Sequence, residues 1–277
     1  MNTVHTQAVI SDREFACFQR LIHELAGIHL SDAKKQLVFG RLRNRVTQLG
    51  LGSFEEYYLL LKGSAQASER QMLVDLLTTN ETYFFREPRH FDILREEILP
   101  QRESSRIFRI WSAACSSGEE PYSLAMMLAD QLGLSRAISW EIVASDISQR
   151  VLDKARTGHY PMQRIDGIPQ SYLQKYCLKG TGAHAGTLLI DAPLRERVRF
   201  ERINLNETLP RMGRFELVFL RNMLIYFQAD TKEQIVRRVV DQLEPGGWLI
   251  VGQSETLKSI DERLVQHSPS VYRRTSP

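Results

Sequence analysis

Between residues 11 and 78 apolar side chains return every three or four positions, the repeat of amphipathic helices. Phe15, Phe18, Leu21, Ile22 and Leu25 line one side of a first helix, which Ser11-Asp12-Arg13-Glu14 opens as a capping box and Gly27 closes. Ser31 or Asp32 is expected to cap a second helix reaching about Leu49, before Gly50 stops it. Ser53 caps a third through Tyr57, Tyr58 and Leu61 that ends near Gly63, and a fourth covers roughly residues 68–78. Pro88 and Pro100 bracket one more helix in a joint at 79–100. From residue 106 the pattern changes. Runs rich in β-branched and aromatic residues at 106–112, 140–145, 215–220 and 247–252 alternate with helical stretches at 121–132, 148–156 and 231–243. That alternation predicts a mostly parallel sheet flanked by helices. Val271-Tyr272-Arg273-Arg274 is a candidate to return antiparallel beside 247–252.

Residues 160–200 break the alternation. Gly180-Thr181-Gly182-Ala183-His184-Ala185-Gly186 is a glycine-rich turn between Tyr176-Cys177-Leu178 and Thr187-Leu188-Leu189-Ile190, and reads as an inserted hairpin. The expected organisation is a helical domain over 1–78, a linker over 79–100 that contributes to the cofactor site, and an α/β domain over 101–277 with a β insertion at about 172–200.

Composition narrows the function classes. Hydrophobic residues make up 43% and charged residues 25% of the 277-residue chain, enough for an ordinary buried core. A net charge of +3 does not suggest wholesale nucleic-acid binding. Cys17, Cys115 and Cys177 are odd in number and far apart, which points to a reducing cytoplasm and not to a disulfide framework. Met1 to Ile10 lacks the apolar stretch of a signal peptide, and no run approaches membrane-spanning length. The seven histidines are scattered without ligand spacing, so no metal site is expected.

The chemistry concentrates after the first strand. There the apolar run Ile107 to Trp111 gives way to Ser112-Ala113-Ala114-Cys115-Ser116-Ser117-Gly118, and a helix is expected to start at Pro121. A small-residue loop running into a helix at the carboxyl end of a first strand is how a doubly wound domain makes a cofactor crevice. Glu119 and Glu120 at its mouth would repel a pyrophosphate and attract a cation. That favours S-adenosylmethionine, with its ammonium and sulfonium, over NAD or ATP; a single Gly118 in place of three spaced glycines also argues against a dinucleotide. Asp146, at the end of the second strand, either holds the ribose hydroxyls or caps the helix beginning near Ser148, and the preceding loop favours the ribose.

Ala113-Ala114-Cys115-Ser116-Ser117-Gly118-Glu119-Glu120-Pro121-Tyr122-Ser123 resembles the first cofactor motif of the CheR-type chemotaxis receptor methyltransferases. Arg221-Asn222-Met223-Leu224-Ile225-Tyr226-Phe227, after the strand Phe215 to Phe219, resembles the same family's fourth-strand motif, and the joint Thr78 to Glu87 fits as well. The resemblance runs over about residues 11–275. It implies a class I S-adenosylmethionine-dependent, Rossmann-like methyltransferase domain with a small antiparallel β insertion, preceded by a small all-α domain. The implied activity is transfer of a methyl group from S-adenosyl-L-methionine to glutamate side chains of chemoreceptors, leaving glutamyl methyl esters and S-adenosyl-L-homocysteine. The Asn/Asp-Pro-Pro-Tyr element of many amino-directed DNA methyltransferases is missing, which weighs against a nucleic-acid substrate.

By resemblance, Asn80, Thr82 and Arg86 reach the cofactor from the joint, Glu120 (selected over Glu119) takes its ammonium, Asp146 its ribose, and Asn204 and Leu205 lie near the adenine; Arg221 and Asn222 complete the cofactor set. Arg86 and Tyr226 are the candidates to hold and steer the acceptor carboxylate. Lys34, Lys35, Arg41, Arg43 and Arg45 fall in a stretch without acids; they read as a solvated face or, by resemblance, as a dock for acidic helices of the receptor's cytoplasmic rod. The turn bearing Gly180, Gly182 and Gly186 is either a partnerless hairpin or the tether for a receptor's C-terminal peptide. A cytoplasmic monomer, without nucleic acid or membrane insertion, is expected. The rival readings are a methyltransferase for another acceptor and a cofactor-binding module without turnover.

Overall fold

The computed structural model describes residues 9–63, 66–134 and 139–276. Met1 to residue 8, part of the segment read for a signal peptide, and Pro277 lie outside the described residues. The chain divides into two compact units: one runs to Thr79 and takes in Tyr226–Gln228, and the other holds Asn80–Ile225 and Ala229–Pro277.

The first unit is helical. It comprises α1 (Asp12–Ala26), α2 (Lys35–Gln48), α3 (Phe54–Lys62) and α4 (Ala67–Leu77). The capping box forms as its spacing predicts: the Glu14 N–H donates to Ser11 Oγ, and the Ser11 N–H donates to Glu14 Oε2. Gly27 closes α1 in the left-handed conformation. Ser31 makes no side-chain cap; a short 3-10 turn over Asp32–Lys34 leads into α2. Phe15, Phe18, Leu21 and Ile22 bury against Val38, Leu42 and Val46 of α2, Phe54, Tyr57 and Leu61 of α3, and Leu73 and Leu77 of α4. Every helix thus places its apolar stripe in one shared core.

The second unit begins earlier than the sequence suggests. Phe84, Phe91, Ile93, Leu94, Ile98 and Leu99 belong to its main core, so from Asn80 onward the expected linker is part of the α/β unit. Helix α5 (Arg89–Ile93) passes into a π turn over Leu94–Ile98 and a 3-10 turn containing Pro100. Then come β1 (Phe108–Ala113), α6 (Glu119–Leu132), β2 (Trp140–Asp146), α7 (Gln149–Thr157) and β3 (His159–Pro161). After these follow α8 (Gln170–Tyr176), β4 (Cys177–Lys179), β5 (Thr187–Ile190), α9 (Ala192–Arg195) and β6 (Val198–Arg202). The chain ends through β7 (Phe215–Leu220), α10 (Ala229–Asp241), β8 (Leu243–Val251), β9 (Leu264–Ser268) and β10 (Val271–Arg274).

Among the described residues the large sheet has seven strands in the order β6-β2-β1-β7-β8-β10-β9. The first five are parallel, whereas β10 pairs antiparallel with β8 and β9. Strand β10 lies where the sequence puts it, with Tyr272 opposite Leu249. The sheet order turns back at β1, which lies between β2 and β7, and this switch point opens a crevice at their carboxyl ends. A smaller antiparallel sheet has the order β3-β5-β4. The expected hairpin, β4 and β5, is therefore two strands of a three-stranded sheet that β3 completes.

Candidate active site

The loop between β1 and α6 is shaped by its backbone. Ala114, Ser116 and Gly118 have φ values of 83°, 49° and 96°. Alternating left-handed residues turn successive N–H groups toward one side, the arrangement of an anion-holding nest. Here the Ser116 N–H donates to Asp146 Oδ2 at 2.9 Å. At Gly118 a side chain has no room, because a Cβ would stand 2.8 Å from the Tyr160 hydroxyl. That hydroxyl donates to the Ser117 carbonyl, so Tyr160 of β3 buttresses the loop from below.

Helix α6 starts at Glu119, two residues before the expected Pro121. Proline fits there because the first four N–H groups of a helix have no intrahelical acceptor. The consequence is that Glu119 and Glu120 lie on the first turn and point to different places. Glu119 is fully buried, takes the Ser117 hydroxyl at 2.7 Å and faces Arg164 at 2.8 Å. Burial pushes its carboxyl above the usual range, against the Ser117 hydrogen bond and the Arg164 charge. Glu120 instead turns to the strand ends, accepting from Ser112 Oγ at 2.7 Å and Arg221 Nη1 at 2.9 Å. Of the two acids expected at the mouth, Glu119 is therefore removed from solvent and Glu120 remains.

Of the two readings made of Asp146, the helix-entry contact is the one seen directly. Its Oδ1 accepts the Ser148 N–H at 2.9 Å as a helix-entry turn, while its Oδ2 secures the β1–α6 loop. Its main-chain carbonyl accepts the Ile203 N–H at 3.0 Å, which brings the turn at Asn204 and Leu205 beside the end of β2. Asn204 Oδ1 accepts the Asn206 N–H, and Asn204 Nδ2 donates to Glu207, closing that turn. Leu205 is buried.

The segment that opens the second unit supplies a third wall. Ser116 Oγ donates to the Asn80 carbonyl at 2.8 Å, and Arg164 Nη2 donates to the Thr82 carbonyl at 2.9 Å. Thr82 is buried, and Arg86, half-buried, donates to the Glu81 carbonyl and lies over the Tyr83 ring at 5.6 Å. Arg221, whose side chain is 2% exposed, spans from Glu120 through Nη1 to Glu87 through Nη2 at 3.1 Å. Asn222, with φ of 57°, donates from Nδ2 to Glu87 Oε1 at 3.0 Å. The Asn222, Leu224 and Gly252 N–H groups all donate to the buried carboxylate of Glu255.

Glu87 and Glu255 escape sequence reading. An acid before Pro88 looks like a helix-entry residue, and Glu255 sits in a polar loop with no recognisable spacing. Tyr226 falls in the other unit: it ends a 3-10 turn, is half-buried, and its carbonyl accepts the His29 N–H at 2.9 Å.

The basic stretch divides. Arg41 donates to the Leu77 and Thr78 carbonyls, capping the carboxyl end of α4, and to Thr79 Oγ1. Arg45 grips the buried Glu69 through Nε at 2.8 Å and through Nη2, and the Tyr57 hydroxyl joins the same carboxylate. Lys35 pairs with Asp12 at 2.6 Å. Lys34 and Arg43 are exposed. Of the five basic residues, Arg41 and Arg45 bind within the helical unit, because their shared side of α2 packs on α4. In the small sheet Gly182 and Gly186 have φ of 55° and 81°, and a Cβ on Gly180 would meet the His184 carbonyl at 1.9 Å, so these glycines shape the turn itself.

The donor set suits S-adenosylmethionine: a carboxylate at a strand end for ribose hydroxyls, a second on a helix's first turn for an ammonium, and a small-residue loop between them. Comparison with known proteins agrees. Residues 13–78 match the family profile described as CheR methyltransferase, all-alpha domain, and residues 80–272 that of CheR methyltransferase, SAM binding domain. The chain is 40% identical over 266 residues to the chemotaxis protein methyltransferase of Escherichia coli (strain K12), covering 95% of this chain and 91% of that one. It is 42% identical over 260 residues to chemotaxis protein methyltransferase 2 of Pseudomonas aeruginosa, covering 94% and 92% respectively. Among solved structures, the glycopeptide N-methyltransferase MtfA complexed with S-adenosylmethionine is similar at a TM-score of 0.38 and 16% identity, over 71% of this chain and 61% of that one. With both profiles matched in order and the relatives aligned almost end to end, the chain belongs to the CheR family of S-adenosylmethionine-dependent methyltransferases.

Proposed function

We propose that this chain methylates glutamate side chains on chemoreceptors, forming glutamyl methyl esters as part of chemosensory adaptation in the cytoplasm. Its relatives of nearly full length are named chemotaxis protein methyltransferases. The observation that carries the reading is the state of the acids around the crevice. Glu87, Glu120 and Glu255 are all engaged by donors, and Asp146 is held by two N–H groups. That suits an acceptor needing no general base. A glutamate, with a pKa of roughly 4.3, arrives as an anion at neutral pH.

When bound, S-adenosylmethionine supplies an electrophilic methyl group on a leaving sulfur. The residues of the chain then have to bind, orient and exclude water. Asp146 would hold the ribose hydroxyls and Glu120 the ammonium, with Asn80, Thr82, Asn204, Leu205, Arg221 and Asn222 completing the cofactor site. Arg86 would hold one oxygen of the acceptor. Its guanidinium carries five N–H donors, so the bond to the Glu81 carbonyl leaves others for a carboxylate. Tyr226 would steer the second oxygen through its hydroxyl. For receptor contact we propose Lys34 and Arg43, the exposed members of the basic stretch. A receptor's C-terminal peptide would add to the small sheet, where β3 and β4 are both edge strands and Leu178 is exposed.

The test is incubation of the full chain with methyl-tritiated S-adenosylmethionine and chemoreceptor-containing membranes. Label that mild alkali releases as volatile methanol is the expected result; alkali-stable label refutes ester formation. Arg86→Ala should lower turnover steeply and Tyr226→Phe should lower turnover more than cofactor affinity.

A further inference from the structure

The carboxyl end of the sheet holds an uneven charge arrangement. Two carboxylates, Glu87 and Glu120, share one guanidinium, and all three groups are largely shielded: the Arg221 side chain is 2% exposed and each glutamate 13%. Arg221 Nη1 faces Glu120 at 2.9 Å and Nη2 faces Glu87 at 3.1 Å, so the acids take opposite sides of the fork. One carboxylate would be enough to pair Arg221. Keeping a second one out of water is costly unless something else repays its desolvation. At Glu87 that help comes from Asn222 Nδ2 at 3.0 Å and the Gln253 N–H at 3.3 Å. Glu87 itself holds a φ of 57°, a backbone conformation that side-chain-bearing residues seldom adopt.

The surrounding groups do not cancel the excess. His90 lies 3.3 Å from Glu87 through Nδ1 and is 1% exposed. Burial, with the Arg221 charge adding to it, pushes its imidazole down to about 4, so it stays neutral near pH 7. The Arg86 side chain turns to the Glu81 carbonyl and Tyr83, and Arg164 faces Glu119. Glu255 is held by three backbone N–H groups and, among the described residues, forms no ion pair.

We propose that Glu87 is a positioning residue for cofactor charge: by drawing one side of Arg221 away, it prevents that guanidinium from neutralising Glu120 and leaves the crevice a negative charge matched to a sulfonium. This deepens the reading of Glu120 as the partner of the cofactor's ammonium. Glu87 also anchors the wall it belongs to, since Arg221 Nη2 donates to the neighbouring Arg86 carbonyl as well. Charge balance and anchoring give different results when the ligand's own charge is varied. S-adenosylmethionine and S-adenosylhomocysteine share every group except the methyl and its positive sulfur.

Calorimetric titration of the full chain with both ligands separates the two roles, with thermal unfolding to check each variant. In Glu87→Gln, affinity for S-adenosylmethionine should fall by about tenfold more than affinity for S-adenosylhomocysteine, the effect of removing one nearby charge at intermediate dielectric. Glu87→Asp should keep the wild-type ratio. Glu87→Gln with Arg221→Gln, which removes the opposed charges together, should return the ratio toward wild type even if both affinities are weaker. It also carries the test if Glu87→Gln alone does not fold. Equal loss for both ligands in Glu87→Gln, or a double variant whose ratio stays shifted, overturns the proposal. Unchanged affinity for both ligands in Glu120→Gln overturns the underlying reading of Glu120 instead.

Discussion

Replacing Arg45 with alanine should damage the helical unit and not a docking face. Arg45 and Glu69 form a two-pronged pair in which the side chains are 25% and 9% exposed, and the fully buried Tyr57 hydroxyl donates to the same carboxylate at 2.8 Å. Removing one partner of a fully buried pair costs about 3–5 kcal/mol, since the remaining charge is left without water or partner. With Arg45 a quarter exposed, water can reach part of the gap, and a loss of about 2–3 kcal/mol is expected. The Arg45 hydrogen bonds hold the Glu69 carboxyl below its usual range, outweighing burial. The pair therefore stabilises fully at neutral pH, and its contribution disappears in acid as pH falls below the unfolded value of roughly 4.3 and through the depressed folded one. Urea unfolding of the full chain at pH 7 and in acid measures this, with Arg43→Ala as the comparison. Arg43 is exposed, and its variant should stay within about 0.5 kcal/mol of wild type. If Arg45→Ala unfolds at the same urea concentration as Arg43→Ala while losing receptor methylation, Arg45 is a docking residue and the structural assignment is wrong.

Three further outcomes are expected. His90, whose imidazole burial lowers from 6.5 to about 4, should make the chain lose up to about 3 kcal/mol as pH drops from 6.5 toward 4, because only the unfolded chain takes up the proton there. His90→Gln should flatten that slope in pH-dependent urea midpoints, and parallel slopes would contradict it. Gly118→Ala introduces a side chain at φ of 96° and 2.8 Å from Tyr160 Oη; the left-handed backbone alone costs about 1–2 kcal/mol, so weaker S-adenosylhomocysteine binding should accompany lower stability, and normal binding would count against a close-packed loop. Glu255→Gln keeps one acceptor oxygen but turns its amide toward at least one of the three N–H donors, which are shared between the two carboxylate oxygens, and should cost about 2–3 kcal/mol in thermal unfolding; an unchanged midpoint would show that the carboxylate does not tie the β7 and β8 ends together.

Much of this arrangement is legible in the chain itself. Strands β1, β2, β7 and β8 show as β-branched runs because both faces of a parallel sheet are covered, leaving few polar interruptions. Asp146 is legible because it ends such a run. What is lost is what depends on the third dimension. Strand β9, with exposed Val265, is an edge strand whose Leu-Val-Gln-His-Ser sequence lacks a buried face to announce it. Strand β3 contains Pro161 and is three residues long, which reads as a loop. The division between Glu119 and Glu120 follows from a helix start two residues before the proline, and neighbouring acids in a helix's first turn look alike in sequence. The separation of Arg41 and Arg45 from Lys34 and Arg43 likewise depends on where α4 packs, which the charge pattern of α2 does not encode. Glu87 is visible only as the recipient of donors that arrive from the ends of β7 and β8.

The most direct measurement is a calorimetric titration of S-adenosylhomocysteine into the folded full chain and into Asp146→Asn. Saturable heat in the wild type is expected, with affinity reduced at least about tenfold in the variant, since an amide substituted for a carboxylate that holds hydroxyls loses a charge-assisted hydrogen bond. No saturable heat from the wild type, or identical binding by Asp146→Asn, would show that the crevice at the carboxyl ends of β1 and β2 is not where the cofactor is held.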